Sequence, residues 1–152
     1  MSQGYMPAAV TDLWSSPKHI VDMVRERHGL IICDPASDGN NSTADSIRGH
    51  YFTKEDDGLA QDWIGTLTYI NPPYGRGLIN WVSKAIEQFE NGNSETIVML
   101  LPSRSDTKWF HLLYEHWNCK IEFIKGRLKF GTSTNSAPFP SIIVTLQKSS
   151  TL

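Results

Sequence analysis

Residues 95–102, Glu-Thr-Ile-Val-Met-Leu-Leu-Pro, carry no polar side chain after Thr96. A strand with one wet face would alternate apolar and polar. An unbroken apolar run of this length, closed by proline, reads instead as a strand covered on both faces. Such strands belong to α/β proteins, where helices pack on either side of a mostly parallel sheet. Three more runs share this character: LIIC at 30–33, TLTYI at 66–70 and SIIVTLQ at 141–147. Between them the period changes. Ser16 can cap a helix and Pro17 suits its first position; Ile20, Met23 and Val24 then form an inward stripe, and Gly29 stops it. Leu78, Trp81, Val82, Ala85, Ile86 and Phe89 recur at helical spacing up to Asn91-Gly92. Ser105 or Asp106 begins a third helix, with Trp109, Phe110, Leu112, Leu113 and Trp117 facing inward. CKIEFI at 119–124 is a further strand; Gly126 allows a turn, and RLKF at 127–130 continues extended. The alternation predicts an α/β sandwich with a mostly parallel sheet.

At 152 residues the chain has the length of one domain. We expect that domain over residues 14–152, preceded by a loosely attached arm at 1–13. No apolar run approaches a membrane span, and the first residues show no basic stretch followed by an apolar one, so a cytoplasmic protein without a membrane partner is expected. Cys33 and Cys119 lack metal or redox spacing and read as buried thiols. His111 and His116 are off the spacing of paired metal ligands, and no metal is expected. A net charge of −2 excludes a uniformly basic surface. The charge is nevertheless uneven: residues 54–62 are acidic, while 120–130 carry Lys120, Lys125, Arg127 and Lys129 against Glu122 alone. The basic segment is either a phosphate-contacting hairpin or a strand edge guarded by lysines.

In open α/β sheets, ligands bind beyond the carboxyl ends of the strands. Asp34 follows LIIC, and Asn71-Pro72-Pro73-Tyr74 follows TLTYI. Adjacent parallel strands would bring both to one ligand. Asp34-Pro35-Ala36 ahead of a polar loop suits a ligand with an amine and ribose hydroxyls, although Asp-Pro is also common in plain turns. The proline tetrapeptide is more specific. Pro73 keeps the residue before it out of the helical region, and each proline fixes its own φ. The Asn71 amide oxygen and the Pro72 carbonyl can then point at one planar NH2 group, both as acceptors. Tyr74 supplies a ring on which a flat base can stack, and Gly75 and Gly77 leave room for it. The long polar stretch 35–65, with HYFT as its one strand-like fragment, is too long for an idle loop.

Asn-Pro-Pro-Tyr after a strand resembles the catalytic motif of amino methyltransferases that use S-adenosylmethionine. Together with YFTKEDDGLAQDW, INPPYG, LLPSRSDTKWFH and IKGRLKFG…NSAPFPS, it resembles the phage-type, Dam-like DNA N6-adenine methyltransferases, from Trp14 to about Leu146. That likeness implies a Rossmann-like methyltransferase three-layer sandwich. It implies Asn71, Pro72, Pro73 and Tyr74 as the catalytic edge, with Asn71 also touching cofactor. Trp14, Ser16, Pro17, Asp34, Pro35 and Ala36 would hold the methionine part of S-adenosylmethionine, and Asp62 would sit near its adenine. Double-stranded DNA would be the partner, met by Arg76, Arg104, Lys108, Lys125, Arg127 and Lys129, with SAPFPS shaping the pocket wall. The chain departs from the wider pattern in two ways. DPASDGNN stands where a glycine-rich turn is usual, and the sheet is shortened between the first strand and the proline motif. Asp56 and Asp57 are the candidates for the ribose. Two alternatives remain: a glutamine side-chain amide could fit the same edge in a protein glutamine N-methyltransferase, or the chain could be a catalytically inactive cofactor- or DNA-binding module. Cytosine C5 chemistry is excluded, because neither cysteine lies in a Pro-Cys loop.

Overall fold

The computed structural model describes residues 15–37, 43–45, 49–131 and 134–149. The chain runs α1 (Lys18–His28), β1 (Cys33–Asp34), β2 (His50–Tyr51), two short 3₁₀ turns (Lys54–Asp56 and Gly58–Ala60), β3 (Gly65–Ile70), α2 (Leu78–Glu90), β4 (Ser94–Pro102), α3 (Lys108–Tyr114), β5 (Cys119–Phe123) and β6 (Ser141–Gln147). The sheet has six strands in the order β2-β1-β3-β4-β6-β5. β2, β1, β3 and β4 are mutually parallel, and β6 runs antiparallel to both β4 and β5.

β4 lies at the centre because its sequence can be covered on both faces. Alternate side chains leave a strand in opposite directions. Ile97, Met99 and Leu101 pack with Ile142, Val144 and Leu146 against Leu78, Val82, Ala85 and Phe89 of α2 and Trp109, Phe110 and Leu113 of α3. Val98 and Leu100 face the other way. With Leu67, Tyr69 and Ile143 they meet Ile20, Val21 and Val24 of α1 and the loop residues Leu128, Phe130, Ala137 and Phe139. The result is three layers, one of them part helix and part loop. Between β1 and β3 the described residues contain β2 and the two 3₁₀ turns but no α-helix. The shortening is therefore physical.

Several expectations need correction. Pro17, not Ser16, occupies the α1 cap position, and no side chain caps it. The Ser16 hydroxyl instead accepts from the Tyr69 hydroxyl at 2.8 Å. Thr107 caps α3, its Oγ1 accepting the Phe110 N–H at 3.2 Å, so the helix starts later than Ser105 or Asp106. α3 ends at Tyr114, leaving Trp117 beyond it and 95% exposed rather than inward; Leu112 is also exposed. Leu30 is exposed, and the first ladder bonds come from Ile32, whose N–H donates to Leu67 at 2.9 Å. RLKF makes no sheet ladder, although its residues alternate exposed and buried as an extended segment would. The proposed arm at 1–13 lies outside the described residues. Among those described, no helix is long and apolar enough to cross a membrane.

Candidate active site

β1 and β3 are parallel neighbours, so their carboxyl ends open on one rim. Cys33 pairs with Thr68, which puts Asp34 level with Tyr69 and Asn71 two residues, about 7 Å, further along. Asp34 is 4% exposed, and its Oδ2 accepts the Thr43 N–H at 2.9 Å. The turn after it is stitched to the chain leaving β2: Phe52 N–H donates to the Asp34 carbonyl at 3.0 Å, and Ser37 N–H to the Phe52 carbonyl at 2.9 Å. Pro35 is buried and Ala36 half-buried.

The acidic stretch forms a wall beside that turn. Gly58 packs so closely that a Cβ there would run into the Pro35 carbonyl oxygen and touch the Trp81 ring. The Trp63 indole N–H donates to the Gly58 carbonyl at 2.9 Å, and the Trp63 backbone N–H donates to Gln88 Oε1 at 2.7 Å. Its ring stacks on Trp81 at 6.2 Å and 24°. Trp63, Gln88 and Gly58 thus position the wall, a role sequence reasoning missed; a lone glycine within an acidic run was the available signal. Asp56 is engaged in a capping box, accepting the Thr53 N–H at 2.9 Å and hydroxyl at 3.0 Å. Asp57 and Asp62 are exposed.

Asn71 is half-buried, Pro72 buried, Pro73 exposed and Tyr74 half-buried. The motif folds back over β4: the Tyr74 hydroxyl donates to the Leu100 carbonyl at 3.1 Å. Phe139, from SAPFPS, meets the Tyr74 ring edge to face at 5.4 Å and 70°. Burial pushes the Tyr74 hydroxyl well above its ordinary range, so it remains a neutral donor. Gly75 adopts φ 123°, a conformation that disfavours any side chain, with open space around it.

The sequence-predicted cations leave the sheet on the same rim. Arg76 follows the motif, and Arg104 and Lys108 follow β4. β5 is antiparallel to β6, which is antiparallel to β4, so the end of β5 carrying Lys125, Arg127 and Lys129 also faces that way. All six are exposed. Ser16 is tied to Tyr69 of β3, and the neighbouring Ser15 carbonyl accepts the Gly131 N–H at 2.8 Å. Trp14 lies outside the described residues. The assembled groups, a buried carboxylate, a carboxamide and a proline carbonyl, are rich in acceptors. That chemistry fits a ligand bearing an ammonium and a second ligand bearing an NH2 group.

A mostly parallel sheet with one reversed strand, β6, set between β4 and β5 is the fold of an α/β methyltransferase. The solved 23S rRNA methyltransferase ErmE shares it, with a TM-score of 0.52 at 11% identity over 90% of this chain and 70% of that one. A profile of the family described as DNA N-6-adenine-methyltransferase (Dam) matches residues 3–148, and the chain belongs to that family. It is similar to the DNA N-6-adenine-methyltransferase of Escherichia phage T1, 36% identical over 105 residues. That match covers 68% of this chain but only 41% of the T1 protein's length. It is also similar to the DNA N-6-adenine-methyltransferase of Haemophilus phage HP1 (strain HP1c1), 28% identical over 135 residues, covering 84% of this chain and 75% of that protein.

Proposed function

We propose that this protein methylates the N6 amine of adenine in double-stranded DNA, with S-adenosylmethionine as donor. The observation that carries the reading is the adjacency of Asp34 and Asn71-Pro72-Pro73-Tyr74 on one rim of neighbouring parallel strands. Bound there, the donor supplies an electrophilic methyl carbon on a sulfonium, and the sulfur keeps the bonding electron pair when that methyl leaves. Asp34, with Pro35, Ala36 and the Ser16-Pro17 approach, would bind the donor's amino-acid part, and the wall at 54–63, including Asp62, would flank its nucleoside.

Asn71 and Pro72 each accept one hydrogen from N6, which fixes the amine and leaves its lone pair to attack the methyl. As the new bond forms, N6 gains positive charge, and the two acceptors stabilise that charge more than they stabilise the neutral amine. The surplus proton then leaves to water, so no strong base is required. Tyr74 stacks on the base, which must leave the duplex to reach the rim, at a cost of a few kcal/mol. Arg76, Arg104, Lys108, Lys125, Arg127 and Lys129 contact phosphates and set the register of the duplex without reading sequence.

The test is reaction of the protein with methyl-labelled S-adenosylmethionine and unmethylated duplex DNA, followed by chromatography of the digested nucleosides. Label in N6-methyladenine is expected. Label found only in glutamine of a protein substrate, or none in DNA, would overturn the reading. Asn71→Ala should bind the donor nearly normally, losing at most the small contribution of its own cofactor contact, and lose turnover by about 10²–10³.

A further inference from the structure

Arg25 sits on α1, where its partly exposed guanidinium lies 3.9 Å from Asp22 Oδ1 of the same helix and also engages a loop. Nη2 donates to the Thr43 carbonyl at 2.9 Å, and Nε lies 3.4 Å from Asp45 Oδ1 and 3.5 Å from Oδ2. Asp45 is fastened in turn to the approach to β1. Its carboxylate accepts the Ile31 N–H at 2.7 Å, and its own N–H donates to the Ile31 carbonyl at 2.9 Å. Ile31 is fully buried, so this attachment is to the core. Residues 43–45 therefore form a brace with two fixed points, Ile31 and Arg25. Within these residues the Thr43 N–H lands on the Asp34 carboxylate at 2.9 Å. The last torsion of an aspartate is broad and only weakly set by its own chain. A donor in a fixed place helps to set the plane of such a carboxylate, and the Thr43 N–H belongs to the same residue as the carbonyl that Arg25 holds.

We propose that Arg25 is a positioning residue for the donor pocket: through residues 43–45 it aims the Asp34 carboxylate at the ammonium group of the methyl donor. The inference rests on the reading of Asp34 as a donor-binding residue, and its test separates the two. S-adenosylmethionine binding is measured by titration calorimetry on the wild-type protein, Arg25→Gln, Asp34→Asn and the double variant, with thermal melting of each. Arg25→Gln should weaken binding roughly five- to tenfold, the loss of one well-placed charge-assisted hydrogen bond. In the Asp34→Asn background the same change should add nothing, since the group it aims is already gone. In steady-state kinetics the KM for the donor should rise while kcat at saturation is kept. Arg25→Lys, which retains charge but cannot span Thr43 and Asp45 with one planar fork, should behave like Arg25→Gln and substitutes for it in the cycle if that variant does not fold. Unchanged affinity in Asp34→Asn would sink the reading of Asp34. A normal loss in Asp34→Asn combined with a full additive loss from Arg25, no loss from Arg25, or complete recovery by lysine would overturn the positioning role alone.

Discussion

On the proposed reading, Tyr74 separates anchoring from stacking within one side chain. Its hydroxyl is fixed on the Leu100 carbonyl and its ring is backed by Phe139, so the exposed part of the ring is held in place before any base arrives. Tyr74→Phe removes only the anchor. It should cost about 0.5–1.5 kcal/mol of stability, read from the denaturant midpoint, while turnover falls far less than in Tyr74→Ala. Equal losses of turnover in the two variants would mean that the hydroxyl itself serves the reaction. At the neighbouring strand, burial raises the Cys33 thiol from its ordinary 9.0 to about 12. The folded state thus keeps a proton that the unfolded chain releases above pH ~9. Stability from this group is complete below pH ~9 and is lost as pH rises towards 12. Melting temperatures across pH 8–11 should fall less steeply for Cys33→Ala than for wild type. Some fall should remain, because burial raises the Tyr74 hydroxyl in the same direction.

Elements were legible where a pattern is local and periodic. The run that became β4 is buried on both faces for that reason, and the helical spacing of Leu78, Val82, Ala85 and Phe89 predicted α2. Asn71 and its prolines were legible because their geometry is set within four residues. Asp34 and Asn71 could be paired because both sit at strand ends. Illegible features involved partners distant in sequence: Thr43 on Asp34, Phe139 on Tyr74, and Trp63 against Trp81. Trp117 was misplaced because its position continues the apolar spacing of α3, while Glu115 already ends the helix. Gly58 shows how such a contact restricts sequence. Its backbone does not require glycine, but the space does, since the nearest atoms are backbone of Pro35 and the Trp81 ring. Gly58→Ala should destabilise the fold by about 1–3 kcal/mol, the usual cost of overpacking, measured by chemical denaturation. A neutral result would show that the wall at 54–63 can retreat from the Asp34 turn.

At the scale of the whole molecule, a net charge of −2 coexists with a rim that carries exposed cations at the ends of β3, β4 and β5. Topology produces this: three strands pointing one way deliver their following loops to one side. The segment 126–137 adds a local device. Leu128 and Phe130 are buried, and the Ala137 N–H donates to the Leu128 carbonyl at 2.7 Å, so the alternating Arg127 and Lys129 are turned outward by the anchoring of their neighbours. The segment expected to continue extended leaves Arg127 and Lys129 exposed but makes no ladder, because apolar anchors hold it in place of strand pairing. If Arg127 and Lys129 neutralise phosphates, each contact releases a condensed counterion, and the logarithm of affinity falls with the logarithm of salt by roughly 0.9 per contact. Replacing both with alanine should flatten that slope by about 2 and weaken binding alike on all DNA sequences, measured by fluorescence anisotropy from low to moderate salt. Donor affinity should hardly change, because both side chains are exposed and neither is among the residues proposed to hold the donor. Melting temperature should also hold, since neither side chain is part of the core that Leu128 and Phe130 complete. An unchanged slope in a folded double variant would move the phosphate contacts to Arg76, Arg104 and Lys108. A lost slope accompanied by lost stability would instead make the two cations supports of the segment rather than phosphate contacts.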